Sequence, residues 1–582
     1  MIFYRKVKVL FFPFLFVSKF AFTQHVDEGY YNDWDFAPHG VYGNLRLTKV
    51  TARTCYKIEK DGPQKVVVRQ LNPSGTVVNV ATVTFSDGLI SELDQANEWG
   101  EIYEYRSYQQ KEKNTFRVTD LLNGKNAFLP CKYALYLYKD ELLSEVRYYS
   151  AGGQLREDGN GVAIIKYKRY ADPIRFAERA ETSLFDSQEQ PVISKSAGYH
   201  TLAFVYDEHD NKISQSFLGI HDELIKHRPN GVAKIQFTYD ADNNPVLDEY
   251  HGLDDKICSN AYGVAGVRRN YEMGYLMKTT RLDTLRNATR SLAAGDGIAI
   301  INYEYDTAGN QTREAYFDEQ EKPMNNHDGI QEIAYLFSPG NLLTRKLYFD
   351  QYGHPCIDRD SINSTVYVRD EKNRILSEAS YGVNGQPLKT DAEEVFLIKK
   401  KYDRYGREVS ETYWADSTTR MTHWDGSYET ATNYNEDGLV TEYNSLDENQ
   451  QPFMTEDGSS TMRLIYNADD RLEERQFLYD NKLVQRTRGV SLGYSIIKYG
   501  YDEGNRRNEL TFWTTDEKPV NATVWMPDSI SVHRIVFLYK GNKIVAQRYY
   551  LIGATEPFKI LDCLENDYLS LSGISMGRKN GD

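Results

Sequence analysis

The chain's 11 His and 5 Cys are the side chains best suited to metal ligation or nucleophilic attack, and their spacing serves neither. There is no His-Glu-x-x-His, no Cys-x-x-Cys and no phosphate-cradling glycine loop. His221 and His227 come nearest, in "GIHDELIKHRP", but they fall in a stretch that reads as loop. The segment "DADNNPVLDE" from Asp240 to Glu249 begins like a calcium-binding loop. Pro245 stands where that loop requires Gly, and turn Asp and Asn serve their own backbone far more often than a cation. The neighbouring carboxylates Glu393-Glu394 and Glu473-Glu474 would point to opposite faces of a strand, so neither pair converges as glycoside hydrolysis requires. The expectation is a non-enzymatic protein with no cofactor and no metal site.

What remains is the chemistry of aromatic rings. The chain has 45 Tyr, 25 Phe and 6 Trp. Tyr413-Trp414, Phe512-Trp513 and Tyr549-Tyr550 occupy similar places along the chain's repeat, and a row of exposed rings would dock a sugar or a partner's strand. The plainer expectation for the tyrosines is structural: ladders of rings across neighbouring hairpins.

The elements that would position such rings are set by a repeat. After each Tyr-Asp-like step comes a corner residue, and in order these are Asp210, Asn243, Gly274, Gly309, Gly340, Asn373, Gly406, Gly438, Asp470 and Asn505. All are types that tolerate positive φ. The steps between them run from 31 to 35 residues. In "YDTAGN" Asp306 opens the turn and Gly309 closes it, the recipe for a type I turn with a G1 bulge between two strands. A second marker is Pro after a polar corner, at Pro191, Pro323, Pro355, Pro387, Pro452, Pro519 and Pro557. It predicts a strand start or edge, where no N–H is needed. A third is a Gly that opens most units: Gly161, Gly198, Gly231, Gly263, Gly297, Gly329, Gly426, Gly458 and Gly493. The unit is thus about 32 residues: strand, tight corner, strand, second corner and a short extended return. One hairpin cannot bury its own face, so copies must stack.

The predicted fold class is all-β: tandem antiparallel hairpins stacked into an elongated, solenoid-like or curved sheet. Residues 161–561 form the array, with room for roughly twelve units and a length on the order of 110 Å at about 4.8 Å per strand. Residues 24–160 read as β hairpins without a clear 32-residue period, either degenerate units or a cap. Residues 562–582 read as a fading tail.

Residues 1–23 read as a signal peptide, with Arg5, Lys6 and Lys8 before a 9-residue apolar stretch, Val9–Val17, too short to span a bilayer. No later segment is apolar enough to cross a membrane, so a secreted, periplasmic or cell-surface protein is expected. The net charge of −15 argues against nucleic acid. Five Cys are too few and too odd for a disulfide framework. Cys258 and Cys356 share a phase three units apart, too far to bridge, which leaves Cys55 with Cys131.

The Tyr-Asp-x-x-Gly corners, "YDTAGN" and "YDRYGR" above all, resemble the YD repeats of Rhs and teneurin-type proteins. The present period of about 32 residues is longer than the roughly twenty of those repeats, and no Rhs core-end signature is present. The resemblance implies an extended, secreted β structure and carries no catalytic residue across. The functional expectation is a scaffold that presents a long surface to a protein or glycan partner at the cell envelope. A structural shell or spacer, and a hydrolase with an unrecognised site, are the alternatives.

Overall fold

A computed structural model describes residues 25–562, except for 27, 39, 47–53, 121–130, 140–141, 172–177, 210, 292–295, 389–395, 424, 437, 469, 488–490, 503–506, 527 and 541–542. The signal-peptide segment and residues 563–582 lie outside these limits, and so do the corners Asp210 and Asn505. The described residues contain no helix. Thirty-seven strands join one sheet, paired antiparallel from neighbour to neighbour except for a short parallel pairing at the N-terminal edge. The predicted all-β array of stacked hairpins is what the chain builds.

Twelve hairpins follow one another from Ile164–Ala171 to Lys543–Tyr550. The unit around residue 300 shows the design. Ile300–Tyr305 and Gln311–Phe317 pair over six positions with a bulge at Glu304/Tyr305. The next hairpin attaches over three positions only, Arg313↔Ala334, Glu314↔Ile333 and Ala315↔Glu332. The chain spends the remainder of each unit on an excursion with two further corners.

All three corners use the same local chemistry. At the first, Asp306 Oδ1 accepts the amides of Ala308 and Asn310 at 2.9 Å each, and Gly309 closes the turn at φ 88°. At the second, Asp318 accepts the amides of Gln320 and Lys322, with Glu321 at φ 62°. At the third, Asn326 accepts those of Asp328 and Ile330, with Gly329 at φ 82°. A short side-chain acceptor at the first position and a left-handed residue at the fourth make each turn self-sufficient. All nine glycines of the third marker have positive φ; of the two units that lack one, the first has Ser361 in the place at φ 64°, and the place in the second lies outside the described residues.

One predicted corner assignment needs correction, and another, Gly274, keeps its positive φ in a shorter turn. At Gly340 the left-handed residue is Asn341 (φ 59°), because Phe337 holds the position of Tyr and the turn is counted from it. The steps to Gly309 and Asn373 then both become 32 residues. At Gly274 the corner is shorter: Met273 and Gly274 are both left-handed, a two-residue connection between Gly266–Glu272 and Tyr275–Leu282. Asn243, Gly309, Asn373, Gly406, Gly438 and Asp470 sit at positive φ as their residue types predict.

The proline marker has a clear cause. Pro191, Pro323, Pro355, Pro387, Pro452 and Pro519 each form a one-residue bridge to the last residue of the preceding strand, as Phe317↔Pro323. The following residue donates instead, as Met324 N–H does to the Tyr316 carbonyl at 3.1 Å. Pro therefore loses no bond there.

Residues 25–149 continue the same sheet as plainer hairpins. They roll over so that Phe36 meets Tyr108 edge-on at 6.0 Å and the Ile90 amide reaches the Pro38 carbonyl at 2.8 Å. This roll encloses an apolar core that includes Ile58, Val83, Leu93, Phe116 and Val146. The first excursion with two corners starts at Ser150, where the array begins. At the far end a separate three-stranded sheet, Ser491–Leu492, Ala522–Met526 and Asp528–Val532, contributes Ala522, Val524 and Val532 to a second large core. Cys55, Cys131, Cys258 and Cys356 are all free thiols, so the anticipated Cys55–Cys131 bridge is not made.

Candidate interaction surface

The expected row of exposed rings is not exposed. Tyr413 (1% exposed), Phe512 (0%), Tyr549 (0%) and Tyr550 (7%) are buried. Each pair sits at the end of the second strand of a hairpin, and alternation sends one ring of the pair into the core. Tyr413 stacks on His423 at 4.3 Å, and Phe512 packs against Tyr494 at 5.0 Å. The second ring of each pair is covered by a cation of its own hairpin, which leaves Trp414 and Trp513 half-buried and Tyr550 buried. Lys399 lies 3.4 Å from the Trp414 ring centre, Lys498 5.2 Å from that of Trp513, and Arg534 4.3 Å from that of Tyr550. Both indole N–H groups are also engaged, with Thr412 and Thr511 at 2.9 Å each. These rings are spent on holding hairpins together.

The corner tyrosines do something the sequence did not suggest. The hydroxyl of Tyr239 donates to the Lys212 carbonyl at 2.9 Å, Tyr305 to Leu276 at 3.1 Å, Tyr402 to Ile375 at 2.9 Å, Tyr434 to Glu408 at 2.8 Å, Tyr501 to Leu472 at 2.9 Å and Tyr539 to Arg507 at 2.7 Å. In each case the carbonyl belongs to the start of the second strand in the previous hairpin. The Tyr of the Tyr-Asp step is a staple between units, and burial pushes the hydroxyls of Tyr239, Tyr305, Tyr402 and Tyr434 up, to about 12 at Tyr305. Where the staple position holds Arg369, its Nε donates to the Leu343 carbonyl at 3.0 Å. The signal was the fixed place of Tyr before Asp, which a ring-stacking ladder would not demand.

The middle strands also carry half-buried charges between these rings. Arg269 donates to both oxygens of Asp248, at 2.8 and 2.7 Å. Lys400 meets Glu408 at 2.9 Å and Glu411 at 3.6 Å. Glu378 is held above the usual carboxylate range by burial, against the pull of Lys400 and Arg369. His221 is at an exposed corner, and the His227 ring stacks on Phe217 at 4.5 Å. Among the described residues no group of three or more His, Cys, Asp or Glu is placed to hold a metal ion.

The two long edges of the array differ. The first-corner edge is partly occupied by the N-terminal roll. Asn72 donates to the Ala308 carbonyl at 2.9 Å, the Ser74 amide donates to the Tyr275 hydroxyl at 3.0 Å, Trp99 donates to the Gly340 carbonyl at 3.3 Å, and Lys132 pairs with Asp470 at 3.1 Å. The opposite edge, made of second and third corners, bonds mainly to itself. Successive third corners are linked backbone to backbone, Arg228 to Ala197 and Ala261 to Asn230 at 2.9 Å each. On the second corners of that edge Ile220, Leu253, Leu285 (79% exposed), Tyr352 (74%) and Val383 stand exposed at the turn tips.

No family model matches the chain, and no curated protein does. Among solved structures it is similar to the crystal structure of TcdB2-TccC3 without the hypervariable C-terminal region, at 12% identity and a TM-score of 0.29, over 88% of this chain and 27% of that one. It is similar also to TcdB2-TccC3-TEV, at 9% identity and a TM-score of 0.24 over 88% and 34%, and to TcdB2-TccC3-Cdc42, at 12% and 0.29 over 88% and 27%. The chain spans about a quarter to a third of the length of these structures. A likeness of this extent assigns no residue a role.

Proposed function

We propose that this is an exported, non-catalytic β-repeat scaffold of YD type, with a 32-residue period, that presents one edge of its long sheet to a protein partner at the cell envelope. The observation that carries the reading is the row of apolar turn tips on the second-corner edge. Exposed turns ordinarily carry polar side chains, and large apolar ones at the second or third position of five among six consecutive second corners mark an interaction surface. The YD assignment rests on the Tyr-Asp corners and their staples, and export rests on the N-terminal leader.

The test has two arms. Cell fractionation places the protein outside the cytoplasm; recovery in the cytoplasm ends the envelope reading. A bait with Ile220, Leu253, Leu285, Tyr352 and Val383 changed to Ser loses the partner that the native bait retains. Unchanged recovery would favour the spacer or shell reading, whose own support is the docking of the N-terminal roll onto the first-corner edge.

A further inference from the structure

The exposed tips are spaced like the repeat. Ile220, Leu253 and Leu285 follow at 33 and 32 residues, and Tyr352 and Val383 stand two and three units beyond Leu285. One unit adds two strands, so neighbouring tips are about 9.6 Å apart, and the row is on the order of 50 Å long. It has a gap at the corner 318–322 and ends at the corners 186–190 and 415–419, none of which has a large apolar side chain.

The backbone of this edge is closed. In the Leu253 corner the Gly252 amide donates to the Lys256 carbonyl at 2.9 Å and the Asp255 amide to the Gly252 carbonyl at 3.2 Å. The Leu285 corner is closed in the same way, through Asp283 and Asn287 at 2.9 Å. With those amides and carbonyls paired, the edge does not template an added strand, and it offers side chains alone.

The charge around the tips is net negative, although Asp255 pairs with Lys234, Glu319 with Arg290 and Glu321 with Lys278. The six corners from Gly219 to Gln386 hold nine carboxylates against three basic side chains, Lys256, Arg286 and Lys322. Arg286 is bound to Glu249, and Lys256 lies 3.7 Å from Asp254. The amides of Asn287 and His354 hold the carboxyls of Asp283 and Asp350 below the usual range, so these charges persist in mild acid.

We propose that the second-corner edge between Gly219 and Gln386 is the docking site for a basic amphipathic α-helix of a partner protein, lying along the edge with one heptad per unit. The inference rests on the scaffold reading and names the form of its partner. A heptad rises about 10.5 Å, close to the unit step, and the difference accumulates to roughly 5 Å over five units, within the reach of Leu and Tyr side chains. A helix satisfies its own backbone, as this edge requires, and basic flanks complement the carboxylates.

The probe is a 35-residue synthetic helix with one Leu pair per heptad and Lys on both flanks, titrated against the full chain by fluorescence anisotropy. The native chain binds it, and a variant with Leu253→Ser, Leu285→Ser and Tyr352→Ser binds about ten-fold more weakly or worse at unchanged thermal stability. Changing Ile193 and Leu336, exposed apolar residues off the row, to Ser leaves binding as it was. Failure of the native chain to bind, equal binding by the triple variant, or equal binding of a scrambled peptide overturns the inference. A photo-cross-linker at position 285 separates the two readings in cells. Capture of a partner segment with no heptad pattern sinks the helix and spares the scaffold, whereas capture of no protein removes both.

Discussion

Between Met462 and Tyr549, 14 buried side chains form one apolar cluster, and the N-terminal roll gathers 17; around Ile298 and Tyr348 the cluster has five, and around Phe396 three. The same hairpin is therefore held in two ways. At the ends the sheet is covered, by its own roll or by the small three-stranded sheet, and area removed from water does the work. In the middle, cohesion comes from directional parts: Asx-type corners, tyrosine staples, the third-corner ladder and half-buried ion pairs. Such bonds are worth about 1 kcal/mol each, and they leave side chains at the edges free for other uses. A scaffold with firm ends and a polar middle can vary its tips without losing its core.

The largest expected effect is at an end. Phe512→Ala should cost about 3–5 kcal/mol, measured as a shift in denaturation midpoint, because its ring is wholly enclosed. A loss below about 1 kcal/mol would erase the contrast. Gly309→Ala comes next, at roughly 2 kcal/mol or more, since the residue is at φ 88° and a Cβ would lie 2.5 Å from the Tyr275 hydroxyl and press on Asn72. Gly353→Ala, at φ 78° with open space around it, isolates the backbone part and should cost about 1 kcal/mol. Equal losses would show that the roll does not lean on the array at that corner. Tyr402→Phe should cost about 1 kcal/mol by orphaning the Ile375 carbonyl, and hydrogen exchange should quicken in that unit before it does in the ends.

Acid sharpens the same contrast. Burial pushes the Asp306 and Asp370 carboxyls up, but hydrogen bonds from Asn310 and Arg374 and from the turn amides outweigh it and hold both below the ordinary value. A depressed carboxylate contributes stability above its unfolded value of about 3.9 and loses it as pH falls through the folded value. Protection factors in the middle, corrected for the intrinsic pH dependence of amide exchange, should thus be steady from neutrality to about pH 4 and fall below it. Glu378 runs the other way. Its raised carboxyl costs stability at neutral pH and recovers it on acidification, so Glu378→Gln should stabilise slightly at pH 7 and remove that recovery. Destabilisation at pH 7 would mean that the pull of Lys400 and Arg369 outweighs burial.

Much of the fold was legible because corner chemistry is local. A carboxylate or amide followed three residues later by Gly or Asn is a complete turn, and Asp306 with Gly309 needs nothing from elsewhere. Gly340 was misassigned by one residue because two adjacent residues, Gly340 and Asn341, both suit positive φ, and only pairing across Phe337↔Leu343 sets the count. The aromatic row failed for a different reason. Period-2 alternation says that Tyr413 and Trp414 face opposite ways, but not which face is covered.

Sequence by itself determined the strands, the corners, the 32-residue period and the number of hairpins, because each is set by residues within one unit. Tertiary structure decided which rings are buried, which carbonyl each tyrosine caps, and which edge the N-terminal roll occupies. Those staple and edge contacts join residues from 26 to 338 positions apart, as Tyr434 with Glu408 and Lys132 with Asp470, and no local preference encodes them.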